Sequence, residues 1–125
     1  MKKIYLAALL VLVLSCKKDD CVEFFTRSFN SISAPEQGNI NEDIIILVGF
    51  TVTNGCYTTH KFFEKVDGNV ITIEGVRVKQ EYCQTCTAEA SGVGNYIFKT
   101  GNPGEYTFKF KKSNGDFFTA VINIE

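Results

Sequence analysis

The sequence holds a single histidine, no tryptophan and one methionine, the initiator. One imidazole leaves little for catalysis that uses histidine as base, nucleophile partner or paired metal ligand. Charge is sparse too: 22% of residues are charged, and 13 Lys+Arg nearly cancel 14 Asp+Glu. A nucleic-acid binder carries a basic excess, which is absent here. A disordered chain is poor in apolar residues, whereas this one is 45% apolar. Catalytic motifs are missing in the same way. Gly92-x-Gly94 lacks the third glycine and the following helix of a dinucleotide site. There is no Gly-x-Ser-x-Gly elbow, and the carboxylates are scattered. These absences lead to the expectation of a non-enzyme that needs no cofactor. Aromatics (13%, with 11 Phe) and five cysteines are what is plentiful. A length of 125 residues is room for one domain.

The N-terminus reads MKKIYLAALLVLVLSCKKDD. Lys2 and Lys3 precede an uncharged apolar stretch, residues 4–14. As a helix it rises about 16 Å, too short for a hydrocarbon core of about 30 Å. Its proportions are those of a secretory signal. The run Val13-Leu14-Ser15-Cys16 resembles a bacterial lipobox, in which a peptidase cuts before the cysteine and the cysteine is acylated. The alternative is a buried N-terminal element with a chance cysteine. Lys17-Lys18-Asp19-Asp20 resembles the tether after the lipidated cysteine in surface lipoproteins of Bacteroidota. That resemblance implies display on the outer membrane, with the periplasmic face as the alternative. The organisation is then a signal peptide over 1–15, a lipidated Cys16 with tether over 16–20, and a domain over 21–125. Cleavage removes Lys2 and Lys3, leaving 11 basic against 14 acidic residues.

Beyond residue 20 no segment carries a 3.6-residue apolar stripe, and short β-rich runs recur between turn residues. They cover residues 21–33 (run A), 44–53 (B), 57–66 (C), 69–82 (D), 95–100 (E), 105–112 (F) and 116–124 (G). In B, Ile44, Ile46, Val48, Phe50 and Val52 alternate onto one face. Asn54-Gly55 is a turn signal, and Asp67-Gly68 is a two-residue hairpin signal of the positive-φ kind. Run D changes parity: Ile71 and Ile73 share one face, Val76 and Val78 the other, with Gly75 at the switch. A β-bulge there would restore a single apolar face. Seven short strands in about 105 residues argue an all-β, two-sheet antiparallel sandwich. Tyr106, opening the sixth run after Pro103-Gly104, resembles the tyrosine corner of immunoglobulin-like sandwiches; the alternative is an ordinary core tyrosine. The immunoglobulin strand-C Trp and cysteine spacing are absent, so the likeness is to the architecture.

Cys21, Cys56, Cys83 and Cys86 form an even set in an exported domain, which reads as two disulfides. With strands alternating up and down, all four fall at one pole. Pairings that split Cys83 from Cys86 are favoured, because a bridge between them restrains little. Two sharper readings compete. Cys56, His60, Cys83 and Cys86 could make a tetrahedral zinc set. Cys83-Gln84-Thr85-Cys86 could exchange disulfides, but no βαβ pattern surrounds it.

Phe24-Phe25, Phe62-Phe63 and Phe117-Phe118 are adjacent pairs, and strand neighbours point to opposite faces. In an immunoglobulin-like sheet, runs C, F and G lie side by side. Phe117 and one of Phe62 and Phe63 would then flank Lys109 and Lys111 on the outer face, a surface suited to a protein partner or a sugar ring. As a whole the chain resembles the small immunoglobulin-like surface lipoproteins of Bacteroidota. The likeness rests on the lipobox, the KKDD tether, the Asn-Gly-Cys turn and the Gly-Glu-Tyr-Thr-Phe-Lys-Phe strand, and implies no particular activity. The leading expectation is a non-enzymatic binding or adhesion module anchored by lipid to the outer membrane. The others are an accessory subunit of a surface uptake complex, and a protease inhibitor presenting the loop at 84–94.

Overall fold

The structure is a computed structural model and describes residues 21–82, 85–88 and 91–125. These residues form nine strands and no helix: β1 Val22–Arg27, β2 Ser31–Ser33, β3 Gln37–Gly38, β4 Ile44–Thr51, β5 Tyr57–Asp67, β6 Val70–Glu81, β7 Ser91–Phe98, β8 Gly104–Lys111 and β9 Phe117–Ile124. They make two sheets. The larger has six strands in the order β1-β6-β8-β9-β3 with β5 also on β6, and the smaller is β2-β4-β7. The all-β two-sheet sandwich is therefore as the alternation of the runs implies.

The parity switch in run D is a bulge. Phe63 pairs with Gly75 and Glu64 with Ile73, so Glu74 has no partner on β5. Ile71, Ile73, Val76 and Val78 consequently all face the core. Glycine fits closely beside the bulge, since a Cβ on Gly75 would stand 3.0 Å from the Arg27 carbonyl oxygen and press the β1 backbone aside. At the β5–β6 turn the two loop residues are Gly68 and Asn69, and Gly68 takes φ +59°.

Neighbour order departs from the expected pattern. β6 lies between β5 and β8, so run C does not pair with run F. β5 flanks the whole of β6, while its other side is shared end to end: β8 pairs with Val70–Ile73 and β1 with residues 76–81. The β6–β8 and β3–β9 pairings are parallel, so the sandwich is mixed. Run A is two strands in different sheets. The crossing is at Phe29, which is buried in the core and donates its N–H to the Lys111 carbonyl at 2.9 Å. Periodicity assigns a residue to a face and says nothing about which strand lies alongside.

Tyr106 occupies a tyrosine corner. Its ring is buried, and its hydroxyl donates to the Asn102 carbonyl oxygen at 2.8 Å and lies 3.2 Å from Thr100 Oγ1. Tyr106→Phe keeps the ring and leaves that carbonyl unpaired, at a cost of about 1–3 kcal/mol. The melting temperature, read by circular dichroism, should fall by about 4 °C or more per kcal/mol. A shift below about 1 °C would show the hydroxyl to be dispensable.

Candidate functional site

Three of the four cysteines, Cys21, Cys56 and Cys86, meet at one pole, as the alternation of strands implies. Cys56 and Cys86 form a disulfide with Cα atoms 5.5 Å apart, across a sequence separation of 30. Cys21 is disulfide-bonded as well, while Cys16 and Cys83 lie outside the described residues. The pairing splits Cys86 from Cys83. It also removes the zinc alternative, because the sulfurs of Cys56 and Cys86 are bonded to each other and are no longer thiolate ligands. His60 instead stands edge-on to Phe24, ring centroids 5.5 Å apart. In the chain-entropy account, closing a loop of this length contributes about 3–4 kcal/mol. Polar contacts reinforce the pole. Gln80, 1% exposed, accepts from Thr53 N at 3.1 Å and donates to Asn54 Oδ1 at 2.5 Å and the Cys56 carbonyl at 2.9 Å. Tyr82 N–H donates to the Cys21 carbonyl at 2.7 Å, tying the start of β1 to the end of β6.

The outer face of the six-stranded sheet is where the expected binding residues gather. With Val76 and Val78 turned inward, Arg77 and Lys79 point out, and register carries Lys61 opposite Arg77 and Phe24 opposite Lys79. Phe63, Lys109, Lys111 and Phe117 share this face, with Lys111 directly opposite Phe117. Phe62 does not. It pairs with inward-facing Val76, and its ring packs against Phe29 and Tyr96 at 6.3 and 5.3 Å. Strand alternation thus sends one ring of the pair into the core.

Phe63 and Lys111 meet around a shallow depression of about 380 Å³, together with Thr26 and Glu74. Its position follows from the topology. β1 stops pairing at Val76, β8 stops at Ile73, and the bulge lies between. Thr26 comes from the end of β1, Lys111 from the end of β8, and Glu74 is the unpaired bulge residue. A second depression, about 390 Å³, adjoins it and shares Phe63 and Glu74; its other walls are Lys61, Phe62, Glu64 and Lys65. Lys61 Nζ lies 5.5 Å from the Phe63 ring centroid, and Glu74 pairs with Lys65 at 3.1 Å. That pair is solvent-exposed and worth about 0–1 kcal/mol. Thr26 and Glu74 were not among the expected residues. The signal for Glu74 is the parity switch at Gly75, since a bulge re-aims the residue it inserts.

Of the nine Lys and Arg residues after position 20, six (Lys61, Lys65, Arg77, Lys79, Lys109 and Lys111) lie on this face. Glu74 and Glu81 share it, with Asp67 and Glu105 at its far end. The outer face of the small sheet is different. There Ile45, Leu47, Val93 and Ile97 are exposed, and Ile45 sits directly across from Ile97. The unbroken apolar run Ile44-Ile45-Ile46-Leu47-Val48 is the signal for it, because alternation turns only three of those five inward.

Glu64 and Glu74 border one depression, and each is engaged. Glu64 accepts a short hydrogen bond from the Tyr96 hydroxyl, and Glu74 holds Lys65. Among the described residues no group of acidic, histidine and cysteine side chains is arranged to hold a metal ion, and no helix is long and apolar enough to cross a membrane. No protein-family model, curated protein or solved structure matches the chain.

Burial, then the bond to Glu64 and its negative charge, hold the Tyr96 ionisation well above the ordinary phenol range. Unfolded Tyr96 ionises near pH 10, whereas the folded residue keeps its proton. Its contribution to stability is therefore complete below about pH 10 and is lost as pH rises beyond it. Tyr96→Phe should flatten the fall in melting temperature above about pH 10. Parallel pH profiles for wild type and variant would contradict this.

Proposed function

We propose that the protein is a non-enzymatic binding module, anchored by lipid at Cys16 to the outer membrane, that engages its partner through the outer face of the six-stranded sheet. The observation that carries this reading is the charge segregation. Two thirds of the basic residues after position 20, with Phe63 and Phe117 among them, occupy one face of a domain whose 12 acidic residues outnumber 9 basic ones. Strands hold these side chains, and the two depressions beside the Glu74 bulge are open to solvent.

The anchor rests on the resemblance of residues 13–20 to a lipobox and tether, which lie outside the described residues. Cys21 opens β1, so five residue steps separate Cys16 from the disulfide pole, at most about 18 Å. An anchored domain would stand on that pole and turn its sheet faces sideways. Residues 85–88, the described part of the connection after β6, would then lie on the membrane side, which counts against an inhibitor's wedge there. Cys16→Ser should move the protein from the detergent phase to the aqueous phase in a phase-partition assay. Unchanged partitioning would overturn the anchor.

The exposed strip of Ile45, Leu47, Val93 and Ile97 favours a second reading, an accessory subunit of a larger surface complex. One experiment separates the two. Cells producing the full chain are probed with fluorescent soluble polysaccharides and proteins, alongside a Lys109→Glu/Lys111→Glu variant and a Leu47→Lys/Ile97→Lys variant. The binding-module reading expects the first variant to lose most retained probe and the second to keep it. The reverse pattern, with loss of a co-purifying complex, supports the accessory subunit.

A further inference from the structure

We infer that the ligand of the β1/β8 junction is an acidic polysaccharide chain, of the uronic-acid class, lying lengthwise across the two joined depressions. This rests on the reading of that sheet face as the binding surface. Two observations select the class.

The first is sign. Lys61, Lys65 and Lys111 border the depressions, with Arg77 and Lys109 on the same face, while the domain as a whole is acidic. Among the described residues no ion pair engages Lys61, Arg77, Lys109 or Lys111. Such a face attracts polyanions from a background that repels them.

The second is shape. The depressions are shallow and share Phe63 and Glu74, so they form one bent trough. A small molecule is held by a pocket that buries most of its surface, and this trough does not. It suits a chain in contact at several successive units. The Phe63 ring offers a stacking platform for the apolar face of a pyranose once Lys61 Nζ, which lies over it 5.5 Å from the centroid, turns aside to meet the sugar's carboxylate. The Glu74 carboxylate adds an acceptor for sugar hydroxyls.

The test is affinity electrophoresis of the full chain in detergent, in gels containing polygalacturonate, neutral dextran or poly-glutamate. Polygalacturonate should retard the protein, dextran should not, and poly-glutamate should retard it far less. Added salt should weaken the retardation, as should Lys111→Glu and, independently, Phe63→Ala. Thermal melts check that both variants fold, and the Lys111→Glu result stands alone if Phe63→Ala does not. Equal retardation by poly-glutamate would overturn the glycan in favour of an acidic polypeptide. Retardation by dextran, lost in Phe63→Ala, would overturn the acidic class and leave the binding module standing. No retardation by any polymer would overturn the inference, and the cell-binding comparison above would still judge the module.

Discussion

One extra residue in β6 organises the large sheet. Without the insertion of Glu74, Val76 and Val78 would fall on the solvent side, and the inner face of the longest strand would change from apolar to basic halfway along. The insertion keeps both halves facing the core. It also breaks the ladder locally, and two strands exploit the break: β8 ends where the bulge begins, and β1 departs just beyond it. Gly75 eases this, since the Arg27 carbonyl oxygen lies only 3.0 Å from where a Cβ would stand. The trough on the outer face is the surface trace of the same irregularity, so core packing and candidate site share one cause.

At the pole a different logic applies. Gln80 continues the inward parity of Val76 and Val78, and at that position an amide replaces a methyl-bearing side chain. Its burial is tolerable because the Asn54 turn presents complementary groups: Thr53 N–H donates to it, and Asn54 Oδ1 and the Cys56 carbonyl accept from it. Asn54 in turn donates from Nδ2 to the Glu81 carbonyl at 3.2 Å. The turn between β4 and β5 is thus held against the end of β6 by directional bonds, beside a covalent one.

Much of this was legible in the residues and some was not, for a consistent reason. Alternation in runs B, F and G identifies the inward faces, Asp67-Gly68 marks the β5–β6 hairpin, and the position of Tyr106 after Pro103-Gly104 points to its corner. Each of these is a local rule. The placing of β6 between β5 and β8, the parallel pairings and the crossing of run A at Phe29 depend on which strand satisfies which backbone, and side-chain periodicity carries no record of that. The candidate site reflects the same division. Phe63, Lys109, Lys111 and Phe117 could be placed on one outer face by parity, while Thr26 and Glu74 join them only through the meeting of β1 and β8. Choosing between Phe62 and Phe63 required knowing the register with Val76.

The Cys56–Cys86 bond encloses β5, its turn and β6 in a covalent ring. The tip of that ring, Gly68 and Asn69, is an exposed turn of the sort proteases cut first. Hydrolysis there would open the hairpin without releasing either half, because the disulfide would still hold the two strands together at the opposite pole. Phe63 and Glu74, on separate strands of the ring, would then belong to two polypeptides that the Cys56–Cys86 bond keeps in one covalent molecule.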